Sequence, residues 1–374
     1  MRLSSLALMV AAGCAVSQVQ AEVALNGFAS VKAGTTFGNN DTLYSYTDEV
    51  DFKPESLFAI QAQSDLGDQV SVTAQLMAKG NKDFNSEFAW AFVTYQATEH
   101  VRINAGRIRV PFYKYSDYLD VGYAYDWART PRSVYDVPFD SMDGASAIIS
   151  STLGDWQSSI QLNVGAFNGN VSVEGVQSPA KMQNILGGSW ELNNDWFSTR
   201  VAYFQADVTI NSTALDPLLA GLTQYGFANV AKNIDFADDR GSFFGIGFGI
   251  DKQDWLINAE FTKVEIDHSF MAQRDSWFAS VGHRVGVWTP YVSYEVNRDK
   301  SDPSIYSTIP TVHPLRPLVA GLVDSQEDNT KVYNIGFKYD FHSSAAFKAE
   351  LTKADNTLTN KTTTLLTLGV DLVF

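Results

Sequence analysis

The chain has 374 residues, a formal net charge of −15 and a single cysteine. An acidic chain lacks the basic surface that nucleic-acid binding requires, so nucleic acid is excluded as an expected partner. One thiol can form neither an internal disulfide nor a thiolate cluster for a metal ion.

The first residues predict a secretory signal peptide. Arg2 precedes an apolar run over residues 6–16, and the small residue Ala21 stands before Glu22. This order predicts cleavage after residue 21 and export through the general secretory (Sec) pathway. The alternative is a lipoprotein signal with Cys14 as the lipidated residue, but Ala11 stands where a bulky aliphatic residue is normal. Residues 22–374 then form the mature protein.

The remainder predicts an all-β fold, a transmembrane antiparallel β-barrel of about sixteen strands. Segments of about ten alternating residues, separated by turn signals, are typical of such barrels. Short turns alternate with long connections, which predicts periplasmic turns, extracellular loops and both chain ends in the periplasm. The long connections are expected near 37–52, 110–142, 167–180, 207–239 and 298–328. The predicted strands are 23–36, 53–66, 69–79, 86–97, 100–109, 143–153, 156–166, 181–192, 196–206, 240–250, 254–264, 275–285, 287–297, 329–341, 344–355 and 362–374.

Tryptophan positions agree with a barrel in a membrane. Trp156, Trp196, Trp255 and Trp288 each follow a predicted tight turn directly or within two residues. Four of the eight tryptophans are therefore expected at one level, at the periplasmic ends of the strands. Aromatic rings are enriched at the headgroup level of membranes.

The connection 110–142 has an unusual composition. It contains three prolines, nine aromatic residues and charges of both signs. Long connections without periodicity are usually functional or disordered, and disordered segments are poor in aromatic residues. The rings need a surface to pack on and the charges need water. We therefore expect this third loop to fold into the barrel lumen and narrow a pore.

The fifth predicted strand carries arginines that lead into this loop. A bulge at Ala105-Gly106 would keep the arginines away from lipid, where each costs about 2–4 kcal/mol. Opposed charges across a constriction sort solutes by charge and dipole. Alternatively, the arginines pair with the loop carboxylates only to hold the loop folded. The candidate constriction residues are Arg102, Asn104, Arg107 and Arg109 on the wall and Asp117, Asp120, Asp126, Arg129 and Arg132 in the loop.

Signals for enzymatic chemistry are missing from the sequence pattern. The five histidines have no evident Ser or Asp partner on the same strand face, as nucleophilic catalysis requires. Acidic stretches in the outer loops lack the spacing of a calcium-binding loop. We predict no catalytic residue, no cofactor and no metal site.

The whole mature chain resembles the Gram-negative general porins. The junction Gly106–Phe112 is similar to the strand-to-constriction-loop junction of porins, and the last strand ends in Phe374 after alternate apolar residues. The resemblance implies a homotrimer in the outer membrane, in contact with lipid and lipopolysaccharide. It also implies passive diffusion of small hydrophilic solutes, and it makes Phe374 the signal read by the barrel assembly machinery.

Together these observations predict a porin with a water-filled pore narrowed by residues 110–142. Two alternatives remain open. In a substrate-selective channel, the aromatic residues would form an apolar track or stack against a sugar or an aromatic acid. A closed barrel would instead serve as a surface receptor or scaffold.

Overall fold

The structure is a computed structural model that describes residues 22–173 and 176–374. The predicted signal peptide and the lipidation alternative at Cys14 lie outside the described residues. Sixteen antiparallel strands form one closed barrel, in which each strand pairs with its neighbours in the sequence and the first pairs with the last. The expected fold class is therefore confirmed.

The strands agree with the predicted segments to within a few residues at most ends. They are β1 (Val23–Thr36), β2 (Leu57–Gly67), β3 (Val70–Lys79), β4 (Ser86–Thr98), β5 (Val101–Arg109), β6 (Ser141–Leu153), β7 (Trp156–Val173), β8 (Val176–Asn193), β9 (Phe197–Ile210), β10 (Asp239–Lys252), β11 (Trp255–Ile266), β12 (Gln273–His283), β13 (Trp288–Lys300), β14 (Asp328–His342), β15 (Ala345–Asn356) and β16 (Lys361–Val373).

Side-chain alternation separates the two faces of the barrel. On β14, Tyr333 and Ile335 are exposed on the outer face, whereas Asn334 is buried inside and donates to Ser293 and Glu295 on β13, 2.9 Å away in each case. Successive residues of a strand point to opposite faces, which explains this division. Among the described residues, no helix is long and apolar enough to cross a membrane.

Tight turns connect the strands at one end of the barrel. Gly154 and Gly286 occupy left-handed backbone conformations in these turns, with φ of 63° and 61°. Trp156, Trp255 and Trp288 begin the strands that follow, and Trp196 stands one residue before β9. The tryptophans thus lie at one end of the barrel, as an interfacial belt requires.

Long connections lie at the opposite end, at 37–56, 110–140, 211–238 and 301–327. Three of their segments are α-helical: α1 (Asp216–Gln224), α2 (Ala228–Lys232) and α3 (Leu315–Asp324). Helix α1 packs against both α2 and α3. Leu222, Val230 and Val319 are buried between them, so these two outer connections fold together around a small apolar core.

The prediction of a long loop at 167–180 was wrong. Strand β7 extends to Val173 and β8 begins at Val176, and the two pair from Phe167↔Met182 to Val173↔Val176. The register shifts between Gly165 and Phe167, which breaks the alternation that a sequence pattern depends on.

Candidate functional site

The third long connection, residues 110–140, is called the lumen loop below. Its aromatic residues pack against aromatic residues on the inner wall of the barrel. The ring of Phe112 lies 5.1 Å from that of Phe204 on β9 and 4.7 Å from that of Phe243 on β10. Trp127 meets Phe278 on β12 at 5.5 Å. Six buried rings of the loop belong to this core: Phe112, Tyr113, Tyr115, Tyr125, Trp127 and Tyr135.

Arg129 is the main ionic anchor of the lumen loop. Its guanidinium contacts Glu55, 2.9 Å from Nε, and Glu350 on β15, 2.6 Å from Nη1. It also donates to Thr352 at 2.8 Å. All three charged side chains are almost fully buried. Burial alone would raise the pKa of Glu55, but Arg129 and Lys32 lower that pKa to about 2, so the carboxylate stays ionised.

Carboxylates on two further strands bind the backbone of the loop. Glu260 on β11 accepts from the Lys114 N–H at 2.9 Å and also from the Tyr135 hydroxyl. Glu295 on β13 accepts from the Ser133 N–H at 3.1 Å. A buried backbone donor without a partner is costly, so these inward carboxylates make an enclosed loop possible.

The loop passes close to the wall at Gly122. A Cβ atom there would lie 2.2 Å from a carboxylate oxygen of Asp371 on β16, which explains the glycine. Lys348 on β15 pairs with Asp371 at 3.0 Å and donates to the carbonyl oxygens of Gly122 and Trp127 at 2.7 and 2.8 Å. Together with Arg129, these contacts fix the loop against β15, β16 and β1.

Three cavities lie beside the lumen loop. The strand residues that line the outer cavity belong to β13–β15, and those of the middle cavity belong to β1–β4. The outer cavity (≈320 Å³) and the middle cavity (≈480 Å³) share Pro54, Asn81, Arg132 and Asp136 in their linings. The inner cavity (≈460 Å³) is lined mainly by β2–β6 and lies towards the turns. The outer and middle cavities thus adjoin each other, whereas the inner cavity shares no lining residue with either of them.

An ionic cluster lies between the middle and inner cavities. Arg109 Nη2 is 2.7 Å from Asp120, and its Nη1 is 3.3 Å from Asp140. Lys79 on β3 meets Asp120 at 2.8 Å, and the Arg109 guanidinium lies 4.9 Å from the ring centre of Trp90. Burial opposes ionisation of Asp120, yet Lys79 and Arg109 hold its pKa well below the ordinary value. Two cations and two carboxylates thus form this cluster.

The bulge predicted in β5 is absent, and Arg107 therefore does not point into the lumen. The ladder between β4 and β5 continues without a shift through Ala105, Gly106 and Arg107. Arg107 therefore points outward and pairs with Asp143 of β6 at 2.9 Å on the outer face. Its predicted place on the pore wall was wrong, because the alternation of inward and outward residues continues through Gly106 without an inserted residue.

The other predicted wall residues lie inside. Arg102 and Asn104 line the inner cavity, as alternation requires. Arg109 is the last residue of β5, and its long side chain reaches Asp120 from there. Of the three predicted loop carboxylates, only Asp120 forms an ion pair with a β5 arginine among the described residues.

The remaining loop charges have other partners. Asp117 pairs with Arg200 on β9 at 2.5 Å. Asp126 is largely buried near Lys338, and burial raises its pKa. Arg132 is 40% exposed, lies 3.7 Å from Glu55 and lines both the outer and middle cavities.

Some residues of the site were not predicted as such. Glu260, Glu295, Lys348 and Glu350 stand at inward strand positions in the sequence, and that pattern is the signal that could have identified them as loop anchors. Glu55 lies in an irregular connection and has no such signal.

Phe374 closes the barrel at the chain end. Its N–H donates to the Gly27 carbonyl at 2.9 Å, and its carbonyl accepts from the Gly27 N–H at 2.7 Å. The Phe374 ring stacks on Phe58 at 5.9 Å. Recognition of Phe374 by the barrel assembly machinery stays a prediction. Among the described residues, no group of three His, Cys, Asp or Glu side chains could hold a metal ion.

A closed barrel with an apolar outer face and a polar route through its lumen defines a membrane channel of the β-barrel class. The sequence model of the Gram-negative porin family matches residues 4–359. The chain therefore belongs to the Gram-negative porins, and it is an outer-membrane channel for passive diffusion.

Solved structures share this fold at low identity. OmpF of Salmonella typhi, in complex with daunomycin, is 12% identical, with 96% of this chain and 99% of that chain covered and a TM-score of 0.59. An anion-selective porin from Comamonas acidovorans is 12% identical, with 95% and 100% covered and a TM-score of 0.59. The channel DcaP of Acinetobacter baumannii is 13% identical, with 96% and 99% covered and a TM-score of 0.58. No curated protein matches this chain in sequence.

Proposed function

We propose that small hydrophilic solutes and ions cross this porin between the lumen loop and the wall of β2–β6. The carrying observation is the inner cavity along that wall. The middle and outer cavities lie above it, between the lumen loop and the connections at 37–56 and 80–85. The lumen loop packs against the wall of β9–β12 and β15 through its aromatic rings and its anchors, so the open route is narrower than the barrel. The mechanism is diffusion down a gradient, and it needs no cofactor and no catalytic group.

The narrowing at Arg109, Asp120 and Lys79 sets the size limit on this route. Because cations and carboxylates face each other there, the local field orients dipolar solutes and water as they pass. Arg132 stands before the narrowing, and Arg102 and Asn104 stand after it. The proposed constriction therefore contains fewer residues than the sequence predicts, because Arg107 lies on the outer face of the barrel.

We infer that the protein is a homotrimer and that the outer face of β2–β6 contacts the neighbouring subunits. Small residues occupy directly paired outward positions on these strands: Ala62, Ala74 and Ala91. They border an apolar groove of ≈540 Å³. The next directly paired outward positions after Ala91 are Arg107 on β5 and Asp143 on β6. An arginine facing lipid costs about 2–4 kcal/mol, so an interface suits this pair better than the membrane. A trimer form is described for OmpT of Vibrio cholerae, which is 10% identical.

The remaining outer face then contacts outer-membrane lipid and lipopolysaccharide. From the sequence signals given above, we also propose that the protein is exported through the Sec pathway. We further propose that the barrel assembly machinery recognises Phe374.

Single-channel recording of the refolded protein in a planar bilayer tests the proposal. We expect conductance steps in groups of three that grow with salt concentration. Replacing residues 113–136 by a flexible Gly-Ser linker should raise the conductance, whereas the same treatment of α1 should change it little. A correctly inserted but silent barrel would contradict the channel and favour a receptor or scaffold.

A further inference from the structure

The lining of the inner cavity differs from that of the other two. Most of its side chains are neutral amides, hydroxyls or aromatic rings: Gln61, Gln63, Ser71, Thr73, Trp90, Phe92, Thr94, Gln96, Asn104, Ser146 and Gln161. Two of its three charges are neutralised by outside partners, since Arg109 pairs with Asp120 and Asp117 pairs with Arg200. The ≈460 Å³ volume lies within the range of about 300–1,000 Å³ that is typical of small-molecule sites.

The amides of this wall are held in fixed orientations. The side-chain oxygen of Gln61 accepts from Gln75 Nε2 and from Trp90 Nε1, both at 3.2 Å. Both acceptor sites of that oxygen are therefore occupied, and the Gln61 amide nitrogen is left to donate towards the cavity.

A second chain of hydrogen bonds lies beside the first. The Thr94 hydroxyl donates to the Asn104 side-chain oxygen at 2.8 Å, and Asn104 Nδ2 donates to the Ser146 hydroxyl at 3.2 Å. Asn104 and Ser146 are both buried in the wall. Polar groups fixed in this way do not need to be ordered when a solute binds, which lowers the entropic cost of binding.

Trp90 supplies a rigid aromatic surface in the same cavity. Its N–H is engaged by Gln61, and the Arg109 guanidinium lies 4.9 Å from its ring centre. Two contacts therefore hold an indole that remains partly exposed at the cavity wall. An apolar plane beside fixed donors and acceptors matches the chemistry of a sugar, which presents one C–H face and a rim of hydroxyls.

We propose that the inner cavity is a weak binding subsite for neutral polyhydroxylated solutes, with one sugar ring packed on Trp90 and its hydroxyls bonded to Gln61, Asn104 and their neighbours. The proposal rests on the proposed open pore and names a solute class for it. Binding is weak enough to permit release, as a conducting pathway requires. A carboxylate solute would instead depend on Arg102, which has no ion pair among the described residues.

The test measures the conductance of single pores of the full chain while maltose is added on either side. We expect a saturable decrease with maltose and only a linear, viscosity-like decrease with a poly(ethylene glycol) of similar mass. Trp90→Ala should raise the half-saturating maltose concentration about tenfold, as expected for loss of an aromatic contact. Trp90→Phe keeps a ring and should have a smaller effect.

Trp277→Ala is the matched control, because Trp277 is exposed on the outer face and should leave maltose binding unchanged. A linear response of the unaltered pore to maltose would overturn the subsite while leaving the pore intact. Saturation by gluconate but not by maltose would contradict binding of neutral solutes and would indicate that the cavity binds anions through Arg102. Absence of any conductance would instead contradict the proposed function itself.

Discussion

The two halves of the barrel lumen are built from the same kind of strand, yet they differ in content. On the side of β9–β16 and β1, the lumen loop packs against the wall, and the interior resembles the core of a soluble protein. Phe112 and Trp127 meet wall aromatics there, and Arg129 is fully enclosed. On the side of β2–β6, the wall borders cavities.

The kind of inward side chain accounts for this difference. The packed half carries inward charges that the loop neutralises or bonds: Arg200, Glu260, Glu295, Lys348 and Glu350. The open half carries mostly amides and hydroxyls, which water can satisfy without a protein partner. Most inward charges thus contact the lumen loop, including Lys79 and Arg109 in the open half. Neutral polar residues border the inner cavity, where Arg102 is an exception.

The largest effect should come from removing the anchor in the packed half. Arg129→Met leaves Glu55 and Glu350 buried without their cation, which costs about 3–5 kcal/mol for a broken buried pair. We expect a decrease of that size in the free energy of unfolding, measured by urea titration of the folded barrel, together with noisy single-channel current. Lys53→Met removes an exposed ion pair and should leave the unfolding free energy nearly unchanged. Equal losses for the two variants would contradict the proposed anchor.

A second effect concerns pH and the same anchor. The pKa of Glu55 lies at about 2 in the folded state, against an ordinary value of 4.5. Because the folded-state pKa is the lower one, the stabilisation is complete above about pH 5 and is lost as the pH falls towards 2; it amounts to about 3 kcal/mol at most. Glu55→Gln should therefore show a weaker loss of stability between pH 6 and pH 3 than the unaltered protein. Parallel pH profiles would exclude an ionised Glu55.

A smaller effect is expected from a single hydroxyl in the packed half. Tyr135→Phe deletes the hydrogen bond to the buried Glu260 and should cost about 1–3 kcal/mol. Tyr123→Phe is the matched control, since its hydroxyl donates to the Ser343 carbonyl in an exposed position and should matter little. If the control lost as much stability, burial would not be the cause.

The sequence predicts the barrel because its signals are local and repeated. Alternation in β14, tight turns and tryptophans after the turns each identify a strand without knowledge of the others. The prediction fails in two places. The pairing of β7 with β8 shifts register between Gly165 and Phe167, which hides the continuation of both strands. The bulge expected at Ala105-Gly106 does not form, because the ladder continues there without a shift.

The partners of the lumen loop are harder to predict, because they depend on which wall the loop contacts. Asp117 and Asp120 are three residues apart, yet one pairs with Arg200 on β9 and the other with Arg109 on β5. Glu55 comes from a separate loop to meet Arg129. Such contacts join residues far apart in the sequence, and neither periodicity nor composition indicates them.

The smallest effect on stability is expected in the open half of the lumen, on the side of β2–β6. A substitution there should change the ionic current through the pore instead of the stability. Arg102 lines the inner cavity without an ion pair among the described residues, so Arg102→Gln should change the unfolding free energy by less than about 0.5 kcal/mol. A unit charge about 7 Å from a passing ion in water changes the local concentrations of chloride and potassium about threefold each, in opposite directions. The chloride-to-potassium permeability ratio should therefore fall by up to about sevenfold at low salt. The difference should vanish near 1 M salt, where the Debye length is about 3 Å.

Arg107→Gln removes the same charge from the outer face of the same strand, and reversal potentials in a salt gradient should not detect it. If both variants shift the reversal potential equally, the two faces of β5 have been assigned incorrectly, and the route along β2–β6 loses its support.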